Sequence, residues 1–284
     1  MIKIAILGFG IVGSGVYEVI RKNMHSIERK AGDVIDIGYI LDIRDFKDHE
    51  EASLFTTDYN KILTDPEISI IVEVMGGLNP AYEYTKAALL AGKSVITSNK
   101  ELVATHGAEL LALAAEKSIN YFFEASVGGG IPIIRPLNQC LAANEITQII
   151  GILNGTTNYI LTKMIKNGQS FEDALADAQQ KGYAERNPSA DVDGHDACRK
   201  ICILASLAFG RQVDYNGILT EGITKITLED IKYAEAIGYV VKLIGYAKSF
   251  GENVLARVSP MLVAKDHPLA GVEDVFNSIL VKGD

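Results

Sequence analysis

The junction between a short isoleucine-rich run, Ile2 to Leu7, and the stretch "GFGIVGSG" restricts the fold more than any other part of the chain. An apolar run of this kind predicts a strand buried on both faces, as found in parallel sheets. Gly8, Gly10 and Gly13 fit G-x-G-x-x-G, and Val16, Val19 and Ile20 then recur at helical spacing. The implied unit is strand, turn, helix. Gly8 permits the tight turn, Gly10 lets a pyrophosphate approach the backbone, and Gly13 lets helix and strand pack closely. Gly8, Gly10, Ile11, Val12 and Gly13 are therefore candidate cofactor residues, with the helix N-terminus turned toward phosphates. A lysine followed by apolar residues also resembles a signal peptide, but no A-x-A-type cleavage site follows.

The pattern then repeats. "VIDIGYILDI" predicts a second strand ending near Asp42, with Arg44 two residues on. An aspartate here would bind the ribose hydroxyls of NAD, and an arginine would suit the 2′-phosphate of NADP. A surface ion pair on a turn fits equally well, so the sequence leaves NAD and NADP both open. "ISIIVEVMGGL" reads as another strand, ending in Gly76 and Gly77, and Asn79-Pro80 suits an N-cap and first-turn pair for the helix that follows. "SVIT", the helix "SNKELVATHGAELLALAAEK" and the strand "INYFFEASVGGG" continue the alternation. Alternating strands and helices predict an α/β, Rossmann-type doubly wound parallel sheet. Ligands bind at the carboxyl ends of such strands, where Gly8–Gly13, Gly76-Gly77, Ser98–Lys100 and Ser126–Gly130 would collect.

After about Pro136 the pattern changes. The expected division is a dinucleotide-binding domain over 1–135 and an α+β substrate-binding and dimerisation domain over 136–284. The formal net charge of −9 and pI of about 5.1 argue against nucleic-acid and anionic-membrane partners. No apolar stretch reaches the roughly 18–20 residues that span a bilayer. Cys140, Cys198 and Cys202 form no disulfide framework, and a reducing cytoplasm is the simplest compartment.

"DVDGHDACRK", Asp191 to Lys200, is the densest charged stretch and precedes the apolar "ICILASLAF". Asp196 and Lys200 are four apart and share a helix face, either as a surface ion pair or as a mounted catalytic pair. Asp193 is placed as the helix N-cap. His195, Cys198 and Cys202 have a spacing that suggests a metal, but there is only one such cluster, and buried thiols are the better reading.

Three stretches, "GILNGTTNYI", "EASVGGGIPII" and "GYAERNPSADVDGHDACRKICILA", resemble the homoserine dehydrogenase family. The resemblance runs nearly the whole length. It implies a nucleotide-binding domain plus a substrate and dimerisation domain, a homodimer, and NAD(P)-dependent interconversion of L-homoserine and L-aspartate 4-semialdehyde. That reaction belongs to the biosynthesis of threonine, methionine and isoleucine. By position, Lys200 matches the family's proton-donor lysine and Glu185 the glutamate that holds the substrate's amino group. Asp191 and Asp196 match acidic pocket residues, and Lys100 a lysine contacting cofactor and substrate. Asn154, Gly155 and Thr156 match the turn beneath nicotinamide and substrate. A structural sodium ion is implied at Glu124, Val127, Gly129 and Ile131.

There are two departures. Asn187 and Ala190 stand where the family often carries a further aspartate after the pocket glutamate, implying a less acidic grip on the amino group. The sequence also ends at "SILVKGD", ahead of a glycine-rich segment of the family. This implies a C-terminally short form or fragment with weakened dinucleotide binding. A catalytically weak fragment and a related amino-acid dehydrogenase stay open as alternatives.

Overall fold

The computed structural model describes residues 1–284, which divide into two compact units, Met1–Ser126 and Val127–Asp284. The division falls ahead of the expected 135/136. Composition changes at Pro136, but the turn Pro136–Cys140 packs on a helix of the second unit, and the residues just before it belong to the same unit.

The first unit contains β1 (Ile2–Leu7), α1 (Ile11–Ala31), β2 (Ile35–Leu41), β3 (Phe55–Thr56), α2 (Tyr59–Thr64), β4 (Ile68–Glu73), α3 (Ala81–Leu90), β5 (Ser94–Thr97), α4 (Lys100–Glu116) and β6 (Tyr121–Phe122). Its six strands run in the order β3-β2-β1-β4-β5-β6, and every pairing is parallel. This is the doubly wound sheet the alternation predicts. Ile4, Ile6, Phe9, Tyr17, Ile37, Ile40 and Val72 form one core cluster. Two local expectations shift. Pro80 occupies the cap position of α3 and Asn79 lies outside the helix. "INYFFEAS" yields only the two residues of β6 before a 3₁₀ turn at Glu124–Ser126.

The second unit contains β7 (Ile146–Ile152), α5 (Gly155–Asn167), α6 (Phe171–Gln180), α7 (Ser189–Val192), α8 (His195–Ala208), β8 (Leu219–Thr220), α9 (Leu228–Ala236), β9 (Tyr239–Phe250), β10 (Asn253–Ala264) and β11 (Ser278–Gly283). The strand order is β11-β7-β9-β10-β8, antiparallel except where β8 meets β10. Helices α5 and α8 pack on this sheet, giving the expected α+β layer.

Lys242 on β9 is only 2% exposed. It donates to Asn158 Oδ1 at 3.1 Å and to the Val272 carbonyl at 2.5 Å. Burial pulls its pKa down from 10.5 to about 8. Below about 8 the lysine is charged whether the chain is folded or unfolded. Between about 8 and 10.5 the unfolded chain alone binds the proton, so this group makes stability rise with pH. Wild type should therefore gain on Lys242→Met by up to about 1.4 kcal/mol per pH unit across that window. Urea unfolding of both proteins at several alkaline pH values checks this, and parallel curves would contradict it.

Candidate active site

The cofactor edge of the first unit is shaped by backbone geometry. Gly8 has φ +96°, and a Cβ on it would sit 3.0 Å from Met75 Cα. A Cβ on Gly13 would lie 1.9 Å from the Gly8 carbonyl oxygen, so any side chain there collides with the turn itself. A Cβ on Gly10 would meet nothing within 4 Å, and Gly10 caps α1 without a side-chain hydrogen bond. The first-turn N–H groups of α1 thus meet no capping side chain. Ile11 is 94% exposed and Val12 50% exposed beside them. An open helix N-terminus above a glycine turn fits a pyrophosphate.

Gly76 and Gly77, with φ of +80° and +72°, follow β4 at the same edge. Beneath them Glu73 is fully buried, accepting from Thr97 Oγ1 at 2.6 Å and from the Met75 N–H at 2.8 Å. Burial raises its pKa above the usual carboxylate value. Asn99 caps α4 through the Leu102 N–H and donates to the Gly77 carbonyl, which ties the two edge loops together. Lys100 is the first residue of α4.

Asp42 accepts the Phe9 N–H at 2.8 Å on Oδ2, and both of its oxygens accept from the Arg44 guanidinium. The guanidinium holds the Asp42 carboxyl well below its ordinary pKa. Arg44 also donates to the Phe9 carbonyl. The ion pair foreseen as one possibility is therefore present. It borders an open pocket of about 500 Å³ whose lining includes Arg44, Phe46, Lys47, Phe55 and Thr56.

In the second unit the polar residues converge after β7. Asn154 caps α5 by accepting the Thr157 N–H, and its amide donates to Asp191 Oδ1 at 2.7 Å and to Asp196 Oδ2 at 2.9 Å. Asp196, 3% exposed, also accepts from Lys200 Nζ at 2.7 Å. Lys200 donates in addition to the Leu153 carbonyl at 2.8 Å. Thr156 Oγ1 lies 2.7 Å from the Tyr183 carbonyl and 3.0 Å from Asp191 Oδ2. Gly155 permits close packing, because a Cβ there would come 2.8 Å from the Val275 carbonyl oxygen. A buried aspartate that holds a lysine beside a helix cap is not a solvated surface pair.

One expectation changes here. Asp193 does not cap α8; it ends α7, and Gly194, with φ +87°, occupies the cap position. The tight α7–α8 connection needs a left-handed residue, a conformation that glycine adopts without steric cost. Glu185 is exposed, and the carboxylate cluster forms without it; its carbonyl accepts from Gln179. Of the sodium candidates, Glu124 lies in the 3₁₀ turn and Val127 is buried. Gly129 and Ile131 belong to a turn closed by the Ile131 N–H on the Gly128 carbonyl. Cys198 and Cys202 are buried free thiols, and burial pushes both up, Cys202 to about 12.

A family model described as homoserine dehydrogenase matches residues 132–284, and one for the homoserine dehydrogenase NAD-binding domain matches residues 8–124. The chain belongs to the homoserine dehydrogenase family. A homoserine dehydrogenase of Synechocystis is 46% identical over all of this chain and 66% of its own length. That of Bacillus subtilis is 41% identical, with the same coverage of each. The crystal structure of a homoserine dehydrogenase from Thiobacillus denitrificans aligns with TM-score 0.93 at 42% identity, covering all of this chain and 66% of that one. A hyperthermophilic archaeal homoserine dehydrogenase in complex with NADPH aligns with TM-score 0.83 at 28% identity, covering all of this chain and 88% of that one. The chain thus spans just under two thirds of the length of the first curated relatives it matches. No helix is long and apolar enough to cross a membrane.

Sequence reasoning missed the carbonyls of Leu153 and Tyr183, and also Asn277, whose amide donates to the Leu153 carbonyl at 3.3 Å. Backbone acceptors carry no residue-type signal, and Asn277 is remote in sequence from the cluster it joins.

Proposed function

We propose that the chain catalyses NADP-dependent oxidation of L-homoserine to L-aspartate 4-semialdehyde and the reverse reaction. The observation that carries this reading is the hydrogen-bonded chain Asp191–Asn154–Asp196–Lys200. Bound nicotinamide supplies the hydride acceptor. Lys200 takes the hydroxyl proton as the alcohol is oxidised and returns it in reduction. Asp196 and the Leu153 carbonyl accept the two N–H groups of the neutral amine, which leaves its lone pair for the hydroxyl proton. Asp191 and Asp196 favour a substrate that carries an ammonium group, with Glu185 at the rim. Lys100 serves at the cofactor side.

NADP is proposed over NAD because Asp42 is already saturated by Arg44 and the Phe9 N–H, and so is poorly placed to accept from a ribose hydroxyl. The exposed Arg44 guanidinium beside Lys47 suits a 2′-phosphate instead. A carbonyl-lined sodium site at 127–131 is supported by the turn in which a Cβ on Gly128 would come 2.4 Å from the Ile131 carbonyl. Exposed Leu219, Leu255 and Leu262 on the second sheet support a homodimer, and the unpaired cysteines a cytoplasmic setting.

The test follows NADPH and NADH formation from homoserine at alkaline pH. NADP should be the better cofactor. Arg44→Ser should lower the NADP/NAD ratio of kcat/KM by about tenfold or more, partly by freeing Asp42 for NAD. No turnover with either cofactor, or oxidation of aspartate in place of homoserine, would overturn the reading.

A further inference from the structure

Asn277 immediately precedes β11, and its Nδ2 shares the Leu153 carbonyl with Lys200 Nζ, at 3.3 Å and 2.8 Å respectively. Its Oδ1 is buried and has no hydrogen-bond partner. A buried carbonyl oxygen without a partner works against stability, while the amide end of the same side chain is engaged on Leu153.

The backbone on both sides of Asn277 is fixed. Asn158, 1% exposed in α5, directs its amide at the carbonyls of Val272, Asp274 and Phe276, at 3.1–3.2 Å. Lys242 donates to the Val272 carbonyl, and Thr162 Oγ1 accepts the Asp274 N–H at 3.0 Å. Lys163 pairs with Asp274 at 3.0 Å. On the other side Ser278 pairs with Ile152, the residue before Leu153. The Asn277 side chain therefore extends from a clamped segment onto a carbonyl at the end of β7.

We propose that Asn277 is a positioning residue for Lys200: its carboxamide fixes the Leu153 carbonyl against which the lysine is held. The proposal rests on the reading of Lys200 as the proton-transferring group. A carbonyl that accepts from a fixed amide can present its remaining lone pair in one direction only, so Nζ is placed by Leu153 on one side and by Asp196 on the other. The charged groups around Lys200 are then Asp196 on its own helix and, through Asn154, Asp191 on α7.

The experiment uses the full chain and measures kcat/KM for homoserine oxidation with NADP across pH, for Asn277→Ala and Asn277→Asp. NADPH binding is followed by its fluorescence. Asn277→Ala should lower kcat/KM about tenfold or more with NADPH affinity unchanged. Asn277→Asp adds an anion beside the lysine, favours its charged form, and should move the acidic limb of the profile up by about one pH unit. The position of the limb does not depend on how much protein is folded. A variant that loses amplitude without displacing the limb in Asn277→Asp, or that matches wild type throughout, overturns the proposal. Should Asn277→Ala not fold, Asn277→Ser replaces it and should show a loss of the same sign. Lys200→Arg is run alongside. If it stays active, the parent reading of Lys200 fails. If it is inactive and the Asn277→Asp limb does not move, only the positioning role fails.

Discussion

Replacing Lys200 by arginine or methionine should reduce homoserine oxidation by about 10²–10⁴ while NADPH binding persists. Arginine retains the positive charge and can keep the ion pair with buried Asp196, so the fold should survive and the melting temperature should stay near that of wild type. Its guanidinium does not release a proton at working pH, so it cannot exchange one with the substrate hydroxyl. Methionine removes the charge and leaves Asp196 with the Asn154 amide, at some expense in stability. The pair of variants separates proton transfer from electrostatic support: the first predicts that both are inactive, the second that arginine works. Initial rates with saturating NADP, together with NADPH fluorescence titration and thermal melts, decide the matter. Turnover by Lys200→Arg within tenfold of wild type would remove Lys200 from the proton path.

Gly13→Ala should abolish productive dinucleotide binding. The new Cβ would stand 1.9 Å from the Gly8 carbonyl oxygen and 2.9 Å from the Gly8 carbonyl carbon, both of them backbone atoms of the same turn. Neither can swing away as a flexible side chain would. Either α1 backs off from β1, or the Gly8 peptide rotates, and both responses displace the first-turn N–H groups that would meet the pyrophosphate. The expected loss is at least tenfold in NADPH affinity, with about 1–3 kcal/mol of overpacking strain in the first unit. Gly10→Ala is the contrast, because its Cβ would meet nothing within 4 Å of protein. It should fold normally, and any loss should appear only with bound cofactor. Equal NADPH affinity in Gly13→Ala and wild type would refute the packing argument.

Most of the first unit was legible because its physics is local. Ile2–Leu7, Ile68–Glu73 and Ser94–Thr97 are strands announced by apolar runs, and glycines mark the turns after the first two. The Asp196–Lys200 pair was legible for the same reason, as i,i+4 spacing on a helix is a short-range property. What escaped depends on distance in the chain. Lys242 carries no local signal, because its partners Asn158 and Val272 lie far from it in the sequence. Asp193 reads as a good cap, yet the α7–α8 connection demands the left-handed backbone that Gly194 supplies. Asn277 is joined to Lys200 only because β11 folds back on β7.

That last pairing also bears on how the protein is made. The strands of the first unit all lie within residues 1–126, so this unit can complete its sheet while later residues are still being translated. In the second unit, β7 waits for a partner from the far end of the unit: Ile152 faces Ser278, and the Glu145 carbonyl receives the Asp284 N–H. During elongation β7 therefore has an open flank, and nascent second units are exposed to chaperones or to one another until residue 284 has left the ribosome.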